Sequence, residues 1–483
     1  MSARILLVTG SIEDEQREFN INHNSHYPLG LAYLYSYLEK QGHKPDLLFL
    51  NDYSPEDCFD IVIENINKNN PEFVGIQIFT NNRIVSYKLI NYIHEHFPSI
   101  HILVGGIHAT AMYEQLLNKF PYIKVIIGEG EITLDELIIA IQNNDDINNV
   151  KGIAYSQGGT IIKTEKRELI QDLDSLPFLK HELFFKNGRT MGCLLTSRGC
   201  PFGCTFCCLQ TISERKTRFR SVENVVAEIE YMIEKFPEMT RIWIHDDTLF
   251  LDNKRAIKLC EEIVKKDIHK KLEFVCSGRL KPVTKELVEA LEKANINHVL
   301  FGLESGAAEI LKSSKKAIKK EDAINTFKLF KDSRINVTSF LIVGLPGETM
   351  DTIKETVETI QTLQKIKYMI YEDIGVLFIY PGTEISRLAT EQGNICDDYW
   401  LTDKKVPFYT AENSEEELMA MKNYLLDRIS FSRFFTWKGF FAQWKMWGYY
   451  MTHKEFAKKI RHKIKDSIKA KRRAFFNKFK KIN

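Results

Sequence analysis

Short apolar runs that alternate with segments of helical periodicity are the feature of this sequence that most constrains its fold. In the first part of the chain the predicted strands are RILLVT, DLLFL, FVGIQIF, HILVGG and VIIGEG. In the second part they are CLLTS, RIWIH, EFVCSG, HVLFGLE, TSFLIVG and DIGVLFIY. Parallel strands covered by helices produce this alternation, so both parts are predicted to be α/β domains.

The pattern divides the chain into four regions. Residues 1–145 are predicted to form a Rossmann-like domain, and 146–190 a β-hairpin and linker. Residues 191–390 contain six β/α units, which suit an open sheet or a partial barrel, and 391–483 form a helical C-terminal region with a basic tail. In either arrangement the side chains that do chemistry are expected at the C-terminal ends of the strands.

A glycine-containing loop after the first strand of the second part holds four of the nine cysteines. Cys200, Cys204 and Cys207 have the spacing C-x3-C-x2-C. Three thiolates this close can bind one compact iron-sulfur cluster, and a 4Fe-4S cluster with three cysteine ligands keeps one iron open for a reactant. The alternatives are a Cys3His zinc site and a chance group of buried cysteines. A zinc ribbon would need a second C-x2-C pair, which the sequence lacks.

Composition and charge narrow the class of protein. With 44% hydrophobic and 11% aromatic residues the chain is globular, and an odd number of cysteines argues against a disulfide framework. The sequence shows neither a secretory signal nor an apolar stretch of membrane-spanning length, so we expect a cytoplasmic protein. The net charge is +2, yet 451–483 holds thirteen Lys or Arg against two acids, so the basic character belongs to the tail.

The segment CPFGCTFC, residues 200–207, resembles the signature of radical S-adenosylmethionine (SAM) enzymes, with Phe206 in the aromatic position. The resemblance implies a partial, TIM-like (β/α)6 barrel, a 4Fe-4S cluster on the three cysteines, and SAM bound at successive strand ends. The acid pair would lie near the methionine amino group, the arginine near its carboxylate, the glutamate near the ribose and the glycines near the adenine. The implied SAM-binding residues are Phe206, Asp246, Asp247, Arg279, Glu304, Gly344 and Gly347.

The first part resembles the cobalamin-binding domain that precedes the radical domain in one large subfamily. The segments that carry this resemblance are YPLGLAYLYSYLEKQGH, VGIQIFT, VGGIHAT and IIGEGE. Glycines at strand ends let the backbone approach a bulky ligand, and a helix N-terminus can bind a phosphate of its nucleotide tail. The implied cobalamin-binding residues are Gly30, Thr80, Gly105, Gly106, His108, Gly128, Glu129 and Gly130. A nucleotide-binding or regulatory Rossmann domain is the alternative.

The sequence departs from one corrinoid motif. Proteins that ligate cobalt from below carry Asp-x-His-x-x-Gly after the first strand, whereas this chain has Gly-Ser-Ile-Glu-Asp at 10–14. No histidine ligand comes from this place. His108 lies in another predicted loop, and we expect it to contact the corrin periphery or the nucleotide tail.

The two resemblances together imply an enzyme that cleaves SAM to a 5'-deoxyadenosyl radical. In the best-known members of the subfamily, methylcobalamin then methylates an unactivated centre, here of a small-molecule or lipid-like substrate. An external one-electron reductant such as flavodoxin or ferredoxin is implied, and no catalytic side chain is assigned. A cobalamin-dependent cyclase or rearrangement enzyme is the alternative, and a corrinoid and iron-sulfur sensor without turnover is a hypothesis of another class.

The aromatic and basic C-terminal segment has three open interpretations. Residues 433–450 contain three of the five tryptophans, and the basic tail follows directly. The segment could cover the substrate cavity or pack on the core. It could instead attach residues 433–483 peripherally to the inner membrane face, or bind RNA, although a nucleic-acid partner is the least favoured.

Overall fold

The computed structural model describes residues 2–12 and 26–434, apart from the side chains of 370–373 and 430–434. Met1–Asn423 forms one compact unit, which contains both large sheets, and Tyr424–Asn483 forms a second. The predictions for the aromatic and basic segment beyond residue 434 lie outside the described residues. Within the described ranges, no helix has the length and apolar character needed to cross a membrane.

The first domain is built on a seven-stranded sheet. Its strands are β1 (Arg4–Thr9), β2 (Lys44–Phe49), β3 (Phe73–Gln77), β4 (His101–Gly105), β5 (Lys124–Ile126), β6 (Ile153–Gln157) and β7 (Thr160–Lys163). The spatial order is β2-β1-β3-β4-β5-β6-β7. Strands β1 to β5 pair in parallel, and β6 and β7 continue the sheet as an antiparallel hairpin. The predicted hairpin therefore extends the first sheet.

Helices connect these strands and cover the sheet. They are α1 (Leu29–Lys40), α2 (Pro55–Asn69), α3 (Arg83–His96), α4 (Ile107–Ala111), α5 (Tyr113–Lys119) and α6 (Glu131–Asn143). Because crossover connections bury both faces of a parallel sheet, strands such as β1 are apolar almost throughout.

The second domain is a six-stranded, all-parallel sheet in sequence order, which confirms the predicted partial barrel. Its strands are β8 (Met191–Leu194), β11 (Arg241–Ile244), β12 (Glu273–Gly278), β13 (Ile296–Glu304), β14 (Asn336–Val343) and β15 (Met369–Val376). Two short strands, β9 (Ser197–Arg198) and β10 (Arg218–Phe219), pair with each other beside the cysteine loop. The helices are α7 (Gln210–Ser213), α8 (Val222–Lys235), α9 (Asn253–Lys265), α10 (Lys285–Lys293), α11 (Ala308–Ser313), α12 (Lys320–Phe330), α13 (Met350–Ile366), α14 (Glu384–Glu391) and α15 (Glu415–Phe434).

Helix α8 anchors the linker between the domains. Ser221 caps the helix by accepting a hydrogen bond from the Asn224 amide, which satisfies one free N–H of the first turn. Glu228 on the buried face accepts hydrogen bonds from Arg220, at 2.5 Å, and from the Leu179 amide of the linker, at 3.0 Å. Since Glu228 is fully buried, these bonds are required to stabilise its charge, and they tie the linker to the second domain.

One hydrophobic cluster also joins the two domains. Its members include Val8, Ile76, Ile90, Leu345, Ile379 and Trp400. Trp400 is 1% exposed, and the Arg83 guanidinium lies 5.7 Å from its ring centre. Arg83 also donates a hydrogen bond to the Lys404 carbonyl. The segment after β15 therefore packs against the first domain, so that the two sheets hold a fixed relation.

Candidate active site

A cavity lies between the strand ends of the first sheet and the loop that follows β8. The first domain contributes the glycines Gly30, Gly75, Gly105, Gly106, Gly128 and Gly130. The second domain contributes Arg198, Gly199, Leu209, His245 and Asp247 among others. The cavity therefore has a floor of glycines and apolar side chains on one side and the start of the cysteine loop on the other.

The glycines of this floor are needed for two separate reasons. Gly106 has φ +94°, and a Cβ there would lie 2.9 Å from the Ile78 carbonyl oxygen. A Cβ on Gly30 would instead lie 3.2 Å from the Gln77 amide nitrogen. Side chains at these positions would strain the backbone or crowd the cavity, so glycine keeps room for a large ligand.

Two of the predicted cobalamin contacts do not reach the cavity. His108 is 1% exposed, its Nδ1 lies 3.1 Å from the Thr80 hydroxyl, and its Nε2 lies 2.9 Å from the Tyr87 hydroxyl. Burial lowers the pKa of His108 to about 3, so the ring is neutral. Both ring nitrogens are occupied and Thr80 is itself buried, so the structure does not support corrinoid contacts for Thr80 and His108.

Glu129 lines the cavity, but its carboxylate joins the two domains. It accepts hydrogen bonds from both terminal nitrogens of Arg218, at 2.7 and 2.9 Å, and from Arg198 at 3.2 Å. Arg198 also donates to Glu131 at 2.7 Å. Burial alone would raise the pKa of Glu129, but the hydrogen bonds and charges of the arginines outweigh it and lower the pKa. We therefore assign Glu129 to the domain junction rather than to direct ligand contact.

The cysteine loop is held by backbone contacts on both sides. Gly199 has φ +89°, and a Cβ there would lie 2.2 Å from the Lys216 carbonyl oxygen, so only glycine fits. The Thr205 amide donates to the Ser314 carbonyl at 3.1 Å, and the Thr205 carbonyl accepts from the Ile385 amide at 3.1 Å. The ends of three separate β/α units thus fix the path of the loop.

The three thiols of the motif suit a polynuclear cluster. Cys204 is buried, and Cys200 and Cys207 are half-buried. Burial and neighbouring thiols raise the pKa of Cys207 to about 12, so the thiolates need a bound cation to form at neutral pH. Zinc, with Zn–S of about 2.3 Å, holds its sulfurs roughly 3.8 Å apart. Among the described residues, one group of three possible metal ligands has its ligand atoms within 4.8 Å of one another, and it consists of His26, Cys193 and His245. The three cysteines of the loop do not form such a group.

The two aspartates after β11 have different roles. Asp246 is 2% exposed and accepts four hydrogen bonds, from the amides and the hydroxyls of Thr196 and Ser197, at 2.5 to 3.1 Å. These bonds use its lone pairs, so the structure does not support a SAM contact for Asp246. Asp247 lines the cavity and accepts a bond from the Gly199 amide at 3.0 Å. Burial raises the pKa of Asp247 to about 6.

Arg279 and Glu304 meet at a buried lysine that the sequence analysis missed. The Lys316 ammonium lies 2.7 Å from the Glu304 carboxylate, and Arg279 donates to the Lys316 carbonyl. Arg279 also stacks on Phe202 of the cysteine loop, 3.5 Å from the ring centre, and its Nε is buried without a hydrogen-bond partner. Phe206 lies 5.8 Å from the Lys316 ammonium. Lys316 lies in the run SSKKAIKK, which matches none of the motifs that predicted the site.

The Gly-Leu-Pro-Gly-Glu turn after β14 has its amides satisfied from within the chain. Gly344 and Gly347 have φ of +92° and +87°. The Gly344 amide donates to the Glu348 carboxylate, and the Gly347 amide donates to Glu412. Glu348 is 2% exposed, and burial raises the pKa of Glu348 to about 7. The turn is therefore a fixed surface at the strand end.

Three buried polar atoms on the cavity wall lack hydrogen-bond partners within the described residues. They are Gln77 Oε1 in the first domain and Ser213 Oγ and His245 Nε2 in the second. A buried polar atom left unpaired costs about 1–3 kcal/mol, so each is an expected contact for a polar ligand. Ser213 and Gln77 were missed because a single serine or glutamine in a sequence carries no motif.

We predict that Glu129→Gln destabilises the protein by about 3 kcal/mol, because it leaves the buried Arg218 without its carboxylate partner and leaves Arg198 paired with Glu131 alone. Thermal or urea unfolding followed by circular dichroism measures the change. The control is Glu165→Gln, which breaks the exposed Lys151–Glu165 pair at 2.7 Å and is expected to cost at most about 0.5 kcal/mol. Equal effects of the two changes would contradict the junction role.

We predict that Glu348→Gln removes part of the pH dependence of stability. Because burial raises the pKa of Glu348 from 4.5 to about 7, its contribution is full below about pH 4.5 and is lost as the pH rises through 7. The unfolding free energy of the wild type should therefore fall between pH 5 and pH 8.5 by up to roughly 3 kcal/mol more than that of the variant. If the unfolding free energies of the wild type and the variant changed with pH in parallel, the ionisation of Glu348 would not lower the stability of the protein.

Comparison with known proteins places both domains. Residues 194–360 match the Radical SAM superfamily, and residues 23–138 match the B12 binding domain. An uncharacterized methyltransferase of Pyrococcus horikoshii, PH0819, is 26% identical over 409 residues, which cover 83% of this chain and 85% of that protein. The anaerobic magnesium-protoporphyrin IX monomethyl ester cyclase of Rubrivivax gelatinosus is 30% identical over 342 residues, covering 68% of this chain and 61% of the cyclase.

A solved structure shares the fold. It is the radical SAM methyltransferase TsrM from Kitasatospora setae with cobalamin and a [4Fe-4S] cluster bound. The match has a TM-score of 0.67 at 19% identity and covers 82% of this chain and 76% of TsrM. Two family matches in this order, on the two sheets that enclose one cavity, assign the chain. It belongs to the radical SAM enzymes that carry an N-terminal cobalamin-binding domain.

Proposed function

We propose that the protein is a cobalamin-dependent radical SAM methyltransferase that acts on an unactivated centre of a small-molecule or lipid-like substrate. The observation that carries this proposal is the shared cavity, in which the glycine floor of the B12-binding domain faces Gly199 and Asp247, directly beside the cysteine motif. A cofactor floor and a cluster motif on opposite sides of one space suit a reaction in which a radical and a methyl donor meet the same substrate.

The residues of the chain divide the cofactor sites between them. Cys200, Cys204 and Cys207 would hold the 4Fe-4S cluster. Five glycines of the floor would lie against cobalamin, namely Gly30, Gly105, Gly106, Gly128 and Gly130. The buried and half-buried thiols suit the cluster, and the glycine-lined floor leaves space for cobalamin. When bound, a reduced cluster supplies the electron that cleaves SAM to methionine and a 5'-deoxyadenosyl radical, and methylcobalamin supplies the methyl group.

The SAM contacts that the geometry favours are fewer than those expected from the motifs. Asp247 lies at the cavity with a carboxylate that can accept from an amino group. The Arg279 guanidinium stacks on the Phe202 ring of the cysteine loop, and its buried Nε has no hydrogen-bond partner among the described residues, so Arg279 suits the methionine carboxylate. Glu304 would reach the ribose from its ion pair with Lys316, and the turn formed by Gly344 and Gly347 would pack on the adenine, with Phe206 beside the cluster.

We propose that an external one-electron donor such as flavodoxin or ferredoxin supplies the electron, because an iron-sulfur cluster of this class must be reduced before it can cleave SAM. The similarity to the cyclase of Rubrivivax gelatinosus favours a second candidate, a cobalamin-dependent radical cyclase that transfers no methyl group. The products of SAM distinguish the two candidates.

We predict that the protein, reconstituted without oxygen with iron, sulfide and hydroxocobalamin and supplied with reductant and a metabolite extract, makes 5'-deoxyadenosine and S-adenosylhomocysteine in equal amounts. A methylated metabolite, heavier by one methylene, should appear in the same proportion by mass spectrometry. Formation of 5'-deoxyadenosine alone would favour the cyclase. The absence of both products would contradict an enzymatic function and favour a sensor.

We predict that Cys200→Ala, Cys204→Ala and Cys207→Ala each abolish 5'-deoxyadenosine formation and lower the iron content of the reconstituted protein, because each change removes a cluster ligand. The matched control is Cys396→Ala, which alters an exposed cysteine away from the loop and should keep both iron content and turnover. Full iron content in the three loop variants would place the cluster elsewhere.

A further inference from the structure

Gln77 is the polar residue that the first sheet presents to the floor of the cavity. It ends β3, a central strand, and pairs in register with Thr9 of β1 and Gly105 of β4. The C-terminal ends of parallel strands are where ligands of such sheets bind. Gln77 therefore lies at the place where the sheet meets a bound corrinoid.

Two glycines fix the direction of the Gln77 side chain. A Cβ on Gly30 would lie 3.2 Å from its amide nitrogen, and a Cβ on Gly106 would lie 3.2 Å from its Cγ. The side chain thus lies between the start of α1 and the loop before α4, where a larger neighbour on either side would displace it. Its orientation is set by the space that these glycines leave.

The amide oxygen of Gln77 is buried and has no hydrogen-bond partner within the described residues. The two first-domain carboxylates on this wall, Glu129 and Glu131, already form ion pairs with Arg198 and Arg218. A buried amide oxygen without a hydrogen-bond partner can donate an electron pair to a ligand atom of positive character.

Among the described first-domain residues that line this floor, no histidine is available as a lower ligand for cobalt. The loop after β1 has no histidine in the motif position, and the Ser11 hydroxyl there donates to the Tyr53 carbonyl at 2.7 Å. His108 has both ring nitrogens bonded to Thr80 and Tyr87. Of the described residues of β1 to β5 that line the floor, Gln77 is the one with a polar side chain, whereas the unpartnered Nε2 of His245 lies on the second-domain wall.

We propose that Gln77 lies below the corrin ring and that its amide oxygen occupies the lower axial side of cobalt. This inference rests on the proposed binding of cobalamin in the cavity. A neutral amide oxygen is a weaker donor to cobalt than an imidazole, so the bound cofactor is held without a strong nitrogen ligand.

Electron paramagnetic resonance of bound cob(II)alamin tests the proposal without turnover. The wild type should show cobalt hyperfine lines without nitrogen splitting. Gln77→His, which places an imidazole nitrogen at nearly the same reach, should add a three-line splitting from ¹⁴N. Growth with ¹⁵N-histidine should change the three lines to two, which separates a protein ligand from the benzimidazole of the cofactor. The matched control is Gln115→His on α5, whose amide bonds the exposed Asp397, and it should show no splitting.

Corrinoid retained by Gln77→His without nitrogen splitting would overturn the assignment. If the Gln77→His variant retains no corrinoid, the Gln77→Ala variant provides the test. Its bound cob(II)alamin should have g values and a cobalt hyperfine coupling that differ from those of the wild type. An unchanged spectrum, or loss of corrinoid from this variant too, would overturn the axial role. A wild type that retains no corrinoid would instead refute the proposed function. The two failures are therefore distinguishable.

Discussion

The ion-pair group at the domain junction is the interaction on which the site depends. Glu129 and Glu131 at the start of α6 bind Arg198 and Arg218 on the two short strands beside the cysteine loop. Removing four charges from water is costly, and the cost is offset here because the carboxylates and guanidinium groups bond one another directly. A change in the spacing of the domains would separate these groups, so the pairs fix the width of the cavity.

Glycine has a complementary role on both walls of that cavity. On the first-domain side it removes side chains from the strand ends, and at Gly199 it lets the cysteine loop pass within contact of Lys216, just before β10. The arginines therefore set how far apart the walls lie, and the glycines set how much space remains between them. A wide, shallow floor opposite a tightly bound loop is the result.

The architecture could be predicted from the sequence because buried parallel strands are apolar throughout and the helices between them are amphipathic. The glycines of the floor could also be predicted, since Gly-Gly and Gly-Glu-Gly at strand ends are typical of a backbone that lies close to a ligand. The individual polar residues were not. Asp246 and Asp247 are neighbours of identical type, and only the hydroxyl and amide groups of Thr196 and Ser197 decide that the first is structural.

His108 and Gln77 both show that a local sequence pattern does not identify which polar residue reaches the cavity. A histidine after a Gly-Gly strand end invites a functional interpretation, but Tyr87 and Thr80 from distant positions bury it. Gln77 carries no motif, and its one signal is a polar residue within the apolar run FVGIQIF. Partners that are far apart in sequence determine which polar group is satisfied, and local patterns do not contain them.

The position of Arg198 has a consequence for cofactor loading. It directly precedes Gly199 and Cys200, so one short stretch of backbone carries both an anchor to the B12-binding domain and the first thiol of the cluster motif. A displacement of Arg198 on the first-domain side would therefore move the backbone that carries Cys200, so the geometry of the cluster motif depends on how the B12-binding domain is seated.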